Sequence, residues 1–350
     1  MAGAMAPVSA YQSEIREQPD VLRRLLTEGR AEVEALAEGI KQARPAYGLF
    51  AARGSSDNAA RYGQYVFGIH NRLTCALAAP SIVSLYGTAP DMAGSLAIGV
   101  SQSGQSPDIV GVIDAAKKQG ALTVALTNDP ESPLARASEH TVQLRAGAEL
   151  AVAATKTTTA ELMAIAMISV AMEGDEARWA DLDRVPDLVQ ATIDGNSTIA
   201  GLDAFKQIQH LCIIGRGYNY STAFETGLKI KETSYVVAEP YSMADLFHGP
   251  VAMIGADFPV VVVAPGGRTE PDVARILETV DSRRARLIAI TDSEKILSRA
   301  EVAIKLPSMP EWISPIAGVV AGQLLAGALA RVKGLDPDAP RGLSKITLTN

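Results

Sequence analysis

Histidine, cysteine, tryptophan and surplus positive charge are all scarce in this sequence, and each shortage removes a class of protein. Four histidines occur, His70, His140, His210 and His248, with no two at metal-ligand spacing, so no metal or other cofactor is expected. Two cysteines, Cys75 and Cys212, can build neither a disulfide framework nor a zinc cage. Each lies in an apolar run and reads as a buried free thiol. Lys and Arg number 32 against 39 Asp and Glu, a net charge of −7. A nucleic-acid partner is therefore not expected, because binding a phosphate backbone needs a basic surface. The longest apolar stretches, 162–172 and 315–332, fall short of a confident span of about 20 residues, and the second is interrupted by Gln323 and small residues. Both predict buried helices, not membrane spans. The opening MAGAMAPVSA has no basic region followed by an apolar one, so no secretory leader is expected and the expected location is the cytoplasm.

What is present is globular: 350 residues, 47% hydrophobic and 20% charged, enough for two ordinary domains. In the first forty-odd residues Ile15, Val21, Leu22, Leu25, Leu26, Val33, Leu36 and Ile40 fall at helical spacing, predicting two helices broken near Pro19. After Pro45 short apolar runs (47–52, 96–100, 122–127) alternate with helical patterns, the grammar of a parallel sheet with crossover helices. That grammar then returns. The run ending in Arg53-Gly54 aligns with the run ending in Arg216-Gly217 at an offset of 163, and Pro107-Asp108-Ile109 aligns with Pro271-Asp272-Val273 at an offset of 164. Thr127-Asn128 and Thr291-Asp292 share the second offset. The fold class is therefore α/β, with two tandem, doubly wound parallel-sheet domains of similar topology. The expected division is a helical segment at 1–44, a first domain at 45–172, a helical connection at 173–202, a second domain at 203–335 and a tail at 336–350.

In open α/β sheets ligands bind beyond the carboxyl ends of the strands. Gly54-Ser55-Ser56 and Ser101-Gln102-Ser103-Gly104-Gln105-Ser106 both fall at such strand-to-helix turns. Glycine lets a ligand approach the backbone, hydroxyls donate, and the next helix offers free N–H groups, so the pair predicts a phosphate cradle. The plainer alternative is two serine N-caps. On the helix expected at 222–234, Glu225, Lys229 and Glu232 share one face, with Lys231 opposite. That is either a solvated salt-bridge face or a base with its electrostatic partner, and the apolar neighbours Ala223, Leu228 and Ile230 argue against free solvent. His248, beside Gly249-Pro250, is a candidate for proton transfer near neutral pH, whereas His70 is expected at an exposed helix end. Lys345, the one lysine of a non-charged terminal segment, is either an exposed tail residue or an imine-forming amine.

Five ordered motifs resemble the sugar isomerase (SIS) domain family: Arg53-Gly54-Ser55-Ser56, the loop 101–106, Val152-Ala153-Ala154-Thr155-Lys156, Glu225–Glu232 continuing to His248-Gly249-Pro250, and Leu343-Ser344-Lys345. More narrowly they are similar to the isomerase half of glucosamine-6-phosphate synthase and to SIS-type glucosamine-6-phosphate deaminases. The resemblance implies that Ser55, Ser56, Ser101, Gln102, Ser103 and Ser106 hold a sugar phosphate, with Val152 and Glu225 also lining the substrate. It implies that Glu232 moves a proton between C1 and C2, that Lys229 stabilises developing charge, and that His248 reaches the site from the neighbouring subunit of a dimer. Lys345 would contact the sugar and form an imine with the ketose.

Three features depart from the synthase. No glutaminase domain or N-terminal cysteine nucleophile is expected in a chain of this length that opens Met1-Ala2-Gly3. Arg53 stands where the synthase has cysteine, and Ala154 where it has serine, which is closer to the deaminase type. The implied activity is an amino-sugar-phosphate isomerase and deaminase, converting glucosamine 6-phosphate and water to fructose 6-phosphate and ammonia. The alternatives are an isomerase subunit fed by a separate glutaminase chain, a deglycase for another phosphosugar amine, or a non-catalytic phosphosugar sensor. The duplicated domain, Glu232, His248 and Lys345 favour an enzyme over the sensor.

Overall fold

The computed structural model describes residues 9–345, so Met1–Val8 and the last five residues of the expected tail lie outside it. The first helix, α1 (Ala10–Ala43), runs 34 residues as one piece, not as the two expected. Pro19 has no N–H for the Ile15 carbonyl, and the Gln18 side-chain amide supplies the missing donor at 3.1 Å, so the helical ladder stays satisfied across the proline. At the other extremity of the chain, the Asp338 carboxylate accepts from the N–H groups of Ala10 (2.6 Å) and Tyr11 (2.8 Å). An acid at a helix start is favoured by the dipole, and here it pins the C-terminal segment to α1.

The first repeat is β1 (Tyr47–Ala51), α2 (Gly54–His70), β2 (Cys75–Leu77), α3 (Ser81–Ser84), β3 (Ser95–Val100), α4 (Pro107–Lys118), β4 (Leu122–Thr127), α5 (Pro133–Ala137), β5 (His140–Gln143) and α6 (Lys156–Glu173). Two helices follow, α7 (Glu176–Asp183) and α8 (Val185–Gly195). The second repeat is β6 (His210–Gly215), α9 (Tyr220–Ser234), β7 (Val237–Ser242), α10 (Met243–Leu246), β8 (Pro259–Val263), α11 (Glu270–Arg283), β9 (Arg286–Thr291), α12 (Glu294–Leu297), β10 (Val302–Lys305) and α13 (Ser314–Val332). The two five-stranded sheets have orders β2-β1-β3-β4-β5 and β10-β9-β8-β6-β7, with every pairing parallel. Read element for element these orders are the same, which is the duplication expected from the two offsets.

Central strands such as β3 (SLAIGV) and β8 (PVVVV) are buried along their whole length, as strands covered on both faces must be. The repeats share a core. α6 and α13 are buried almost throughout, and one apolar cluster contains residues of α1, α2 and α6 together with Trp312, Ile316 and Val320. The Glu311–Val332 segment is long and apolar enough to cross a membrane, yet 94% of its apolar window is buried inside the protein. Trp179, Leu182, Val185 and Val189 place the connection 173–202 in the same cluster.

Two local expectations are corrected. Cys212 is buried but Cys75, at the start of the short edge strand β2, is only half-buried. His70 is no surface histidine. Its ring stacks on Tyr218 at 6.0 Å between centroids, Nδ1 meets the Arg178 guanidinium, and Nε2 lies 2.8 Å from the Tyr218 hydroxyl. Burial, then the neighbouring Arg178 charge, lowers its pKa to about 4, so the ring is neutral.

Candidate functional site

The site is assembled where the order of the first sheet turns back on itself, between β1 and β3. β1 delivers Arg53-Gly54, and Gly54 adopts φ 57°, the left-handed turn that opens α2. β3 delivers the loop 101–106 ahead of α4, with Gly104 at φ 62°. A Cβ there would stand 2.1 Å from the Ser132 hydroxyl, so only glycine fits against α5. Arg53 Nε pairs with the buried Asp108 at 2.9 Å, tying the two turns together. The second repeat makes the same pair, Arg216 Nε to Asp272 at 2.5 Å, which marks it as a structural device of both copies.

The serines are not spent as N-caps. Ser55 donates to Glu225 Oε1 at 3.0 Å and Ser56 donates to Glu161 Oε1 at 2.8 Å. Ser106 occupies the cap position of α4 but makes no cap hydrogen bond. Within the loop, Ser101 and Ser103 accept from the N–H groups of Gly104 (3.2 Å) and Gln105 (3.3 Å), which leaves both hydroxyl protons free to donate. Among the described residues, the Gln102 amide and the Ser106 hydroxyl have no hydrogen-bond partner.

α9 crosses from the second repeat to complete this cluster. Ser55 and Asn58 of α2 meet Glu225, whereas Tyr62 and Tyr65 meet Tyr218 just ahead of α9, so the two helices pack antiparallel. The i, i+4, i+7 face expected for α9 is therefore turned inward. Lys229 is 1% exposed, 2.6 Å from Glu232 and 3.5 Å from Glu225, while Glu232 keeps 22% of its side chain in contact with solvent. Lys231 is exposed on the far side, as expected. Burial alone would depress the Lys229 pKa, but Glu225 and Glu232 reverse this and hold it above the ordinary lysine value, so the ammonium persists. Glu225 is raised, chiefly by burial, against the opposing pull of Lys229 and Asn58.

The tail closes another side. Lys345 Nζ donates to Glu149 Oε2 and to the Ala151 carbonyl, both at 2.7 Å, next to Val152. Glu149 is fully enclosed and also accepts from the N–H groups of Thr155 (3.0 Å) and Thr157 (3.1 Å) and from the Thr157 hydroxyl (2.8 Å). Burial would raise its pKa, yet the Lys345 charge and these donors take it below the usual carboxylate value.

His248 is not part of this cluster within one chain. It follows β7 and α10, exposed, at the carboxyl edge of the second sheet. Glu232 lies at the opposite edge, near the end of α9, and six residues of strand between them span roughly 20 Å.

Sequence reasoning missed Glu149, Glu161, Asn58 and Asp108. Glu161 was the most visible of them, because it is a lone charge within the apolar stretch of α6. Its burial, against the Ser56 hydrogen bond, raises the carboxyl to about 8.

Comparison with known proteins agrees with this architecture. The SIS domain family matches twice, over residues 48–171 and 204–332, one match on each sheet. A glutamine–fructose-6-phosphate aminotransferase (isomerizing) of Thermococcus kodakarensis is 32% identical over 345 residues, covering 95% of this chain and 56% of that protein. The chain thus spans about half the length of the curated relatives it matches. A solved structure from Silicibacter pomeroyi DSS-3, provisionally described as a phosphosugar isomerase, is 33% identical with a TM-score of 0.87, covering 95% of this chain and 100% of that one. The C-terminal domain of glucosamine-fructose-6-phosphate aminotransferase from Francisella tularensis is 26% identical with a TM-score of 0.85, covering 97% and 99%.

Proposed function

Because the chain belongs to the SIS domain family, with two copies of the domain, we propose that it is a phosphosugar isomerase acting on an amino sugar, converting glucosamine 6-phosphate and water to fructose 6-phosphate and ammonia. The observation that carries this reading is the Glu232–Lys229 pair at 2.6 Å, a part-exposed carboxylate held beside a permanently charged, buried ammonium. Proton transfer next to a carbonyl needs such a base, an electrostatic partner for the oxygen that gains charge, and an anchored substrate.

The serine loop binds the phosphate through hydroxyls that no cap consumes, and Ser55 joins it by turning its proton from Glu225 to the ligand. His248 assists ring opening. Since its own chain carries it to the wrong edge of the second sheet, it serves the site of a second copy in a dimer. Glu232 then removes the C2 proton of the open-chain aldose and returns it to C1, through an enolamine whose oxygen faces Lys229. The product is an imine at C2. Lys345, held in place by Glu149, passes a proton to the imine nitrogen, attacks C2 as the free amine and expels ammonia. Water then cleaves the lysine imine, releasing the ketose and restoring the free amine.

A second reading is favoured by one observation: the curated relatives are named as glutamine–fructose-6-phosphate aminotransferases. In that reading the same residues run in the synthetic direction, with ammonia supplied by a glutaminase. Incubation of the purified protein with glucosamine 6-phosphate, followed by assay of both ammonia and fructose 6-phosphate, tests the proposal. Equal amounts of the two are expected. Fructose 6-phosphate consumed only when a glutaminase and glutamine are added would select the second reading, and binding without turnover would make the protein a sensor.

A further inference from the structure

A cavity of about 830 Å³ opens at the carboxyl edge of the second sheet, at the position related by the internal duplication to the cluster just described. It lies at the corresponding switch point, between β6 and β8, and falls within the size range of about 300–1,000 Å³ usual for small-molecule sites. Gly217 opens it with φ 59°, matching Gly54 at 57°.

The offsets show what has been exchanged. Lys229 and Glu232 correspond to Val66 and Ile69, so the ammonium–carboxylate pair of the first cluster has no counterpart here; Ile69 lines the cleft with 55% of its surface exposed. Ser101, Gln102 and Ser103 correspond to Pro265, Gly266 and Gly267, and Ser106 to Glu270. The N–H groups that could cradle a phosphate are already taken by the protein's own carboxylates: Gly266 donates to Asp292 at 2.8 Å and Arg268 to Glu311 at 2.8 Å. A phosphate would have to displace them, and of the two guanidiniums lining the cleft Arg216 is already paired with Asp272, while the carboxylates of Asp245, Asp272 and Glu311 outnumber Arg216 and Arg268. In exchange, the cleft has gained the partly exposed rings of Tyr65 and Tyr220, backed by the buried Tyr218 and Trp312, with Asp245 at its margin. Rings that can pack on the apolar face of a sugar, beside acceptors for its hydroxyls, are the chemistry of carbohydrate recognition without phosphate.

We propose that this second cleft is a non-catalytic binding site for an unphosphorylated sugar or amino sugar. It is mechanically joined to the first cluster. α2 contributes Ser55 and Ser56 to one cleft and Tyr65 and Ile69 to the other, and α9 contributes Glu232 to one and Tyr220 to the other. A ligand that shifts either helix therefore moves groups in both places.

The test is titration of the full chain with glucosamine and N-acetylglucosamine by calorimetry. Tryptophan fluorescence of a Trp179→Phe variant runs in parallel, since the chain has two tryptophans and the remaining one, Trp312, lines the cleft. Saturable binding of one sugar per chain is expected, unchanged in a Ser101→Ala/Ser103→Ala variant that disables the first cluster. Weakening of at least about tenfold is expected in Tyr65→Ala and in Asp245→Asn, the latter an exposed side chain whose replacement spares the fold. Three outcomes overturn the proposal: no saturable signal with either sugar up to about 10 mM, loss of binding in the serine variant, or unchanged affinity in Asp245→Asn and Tyr65→Ala. None of these depends on whether glucosamine 6-phosphate is turned over.

Discussion

Lys229 and Glu232, three residues apart on α9, form a 2.6 Å ion pair in which the ammonium is sealed from water and the carboxylate is not. Under the proposed function the asymmetry gives them different tasks, because only the exposed partner can exchange a proton with a substrate. Glu232→Gln keeps the shape and removes proton acceptance, so turnover should fall by about 10²–10⁴-fold with phosphate-ligand affinity retained. The readout is exchange of the C2 proton with deuterated water, and continued exchange in the variant would remove Glu232 from the chemistry. Lys229→Met is a different experiment. It leaves Glu225 buried with its cationic partner gone and should cost about 3–5 kcal/mol of stability, seen in urea unfolding.

Ser103 and Ser106 accept or make few bonds within their loop, so under the proposed function their hydroxyls are the ones that meet the phosphate. Ser103→Ala should raise KM by about 10- to 150-fold, the loss of one hydrogen bond to a charged group at about 1.5–3 kcal/mol, and leave the melting temperature within a degree or two. A fall in stability with KM unchanged would return the loop to a structural role.

Lys345 is held by Glu149 and the Ala151 carbonyl at the end of a segment that Asp338 pins to α1. Lys345→Ala should abolish ammonia release, and borohydride treatment in the presence of fructose 6-phosphate should trap a covalent adduct in the native protein and not in the variant. Adduct formation in Lys345→Ala would mean that another amine does the work.

His248 makes a claim about two chains. Glu232→Gln and His248→Ala proteins, each inactive alone, should regain part of the activity when mixed, because half the sites of a mixed dimer receive both native groups. No recovery, under conditions where subunits demonstrably exchange, would confine His248 to its own chain.

Glu161 gives a pH prediction. Its folded pKa of about 8 lies above the ordinary glutamate value of 4.5, so between those limits the native state binds the proton more tightly than the unfolded chain. Stability from this group is full below about pH 4.5 and is lost as pH rises through 8. Glu161→Gln keeps an acceptor for Ser56 and should flatten the decline of urea stability across that window. An unchanged slope would show that Glu161 is charged in the folded protein.

Much of this was readable in the sequence because it is periodic or local. The strand–helix alternation, the two offsets and the glycine turns depend on neighbours within a few residues, and the repeated sheet order follows from them. The inward face of α9 could be read as three charges in register, but whether it met water or protein could not. Pro19 also misled, since a proline in a helical pattern signals a break unless something replaces its donor. The Gln18 side chain that does so is positioned by tertiary packing against Gln323 of α13. Glu149 and Lys345 meet across 196 residues, and Ser55 and Glu225 across 170, separations at which a linear pattern carries no information about contact. The sequence by itself determined the duplicated sheets, the turns that end their strands and the residue types placed there. Only the tertiary structure decided which copy kept free hydroxyls and which filled its turn with its own carboxylates, because that depends on desolvation and on partners brought together from distant parts of the chain.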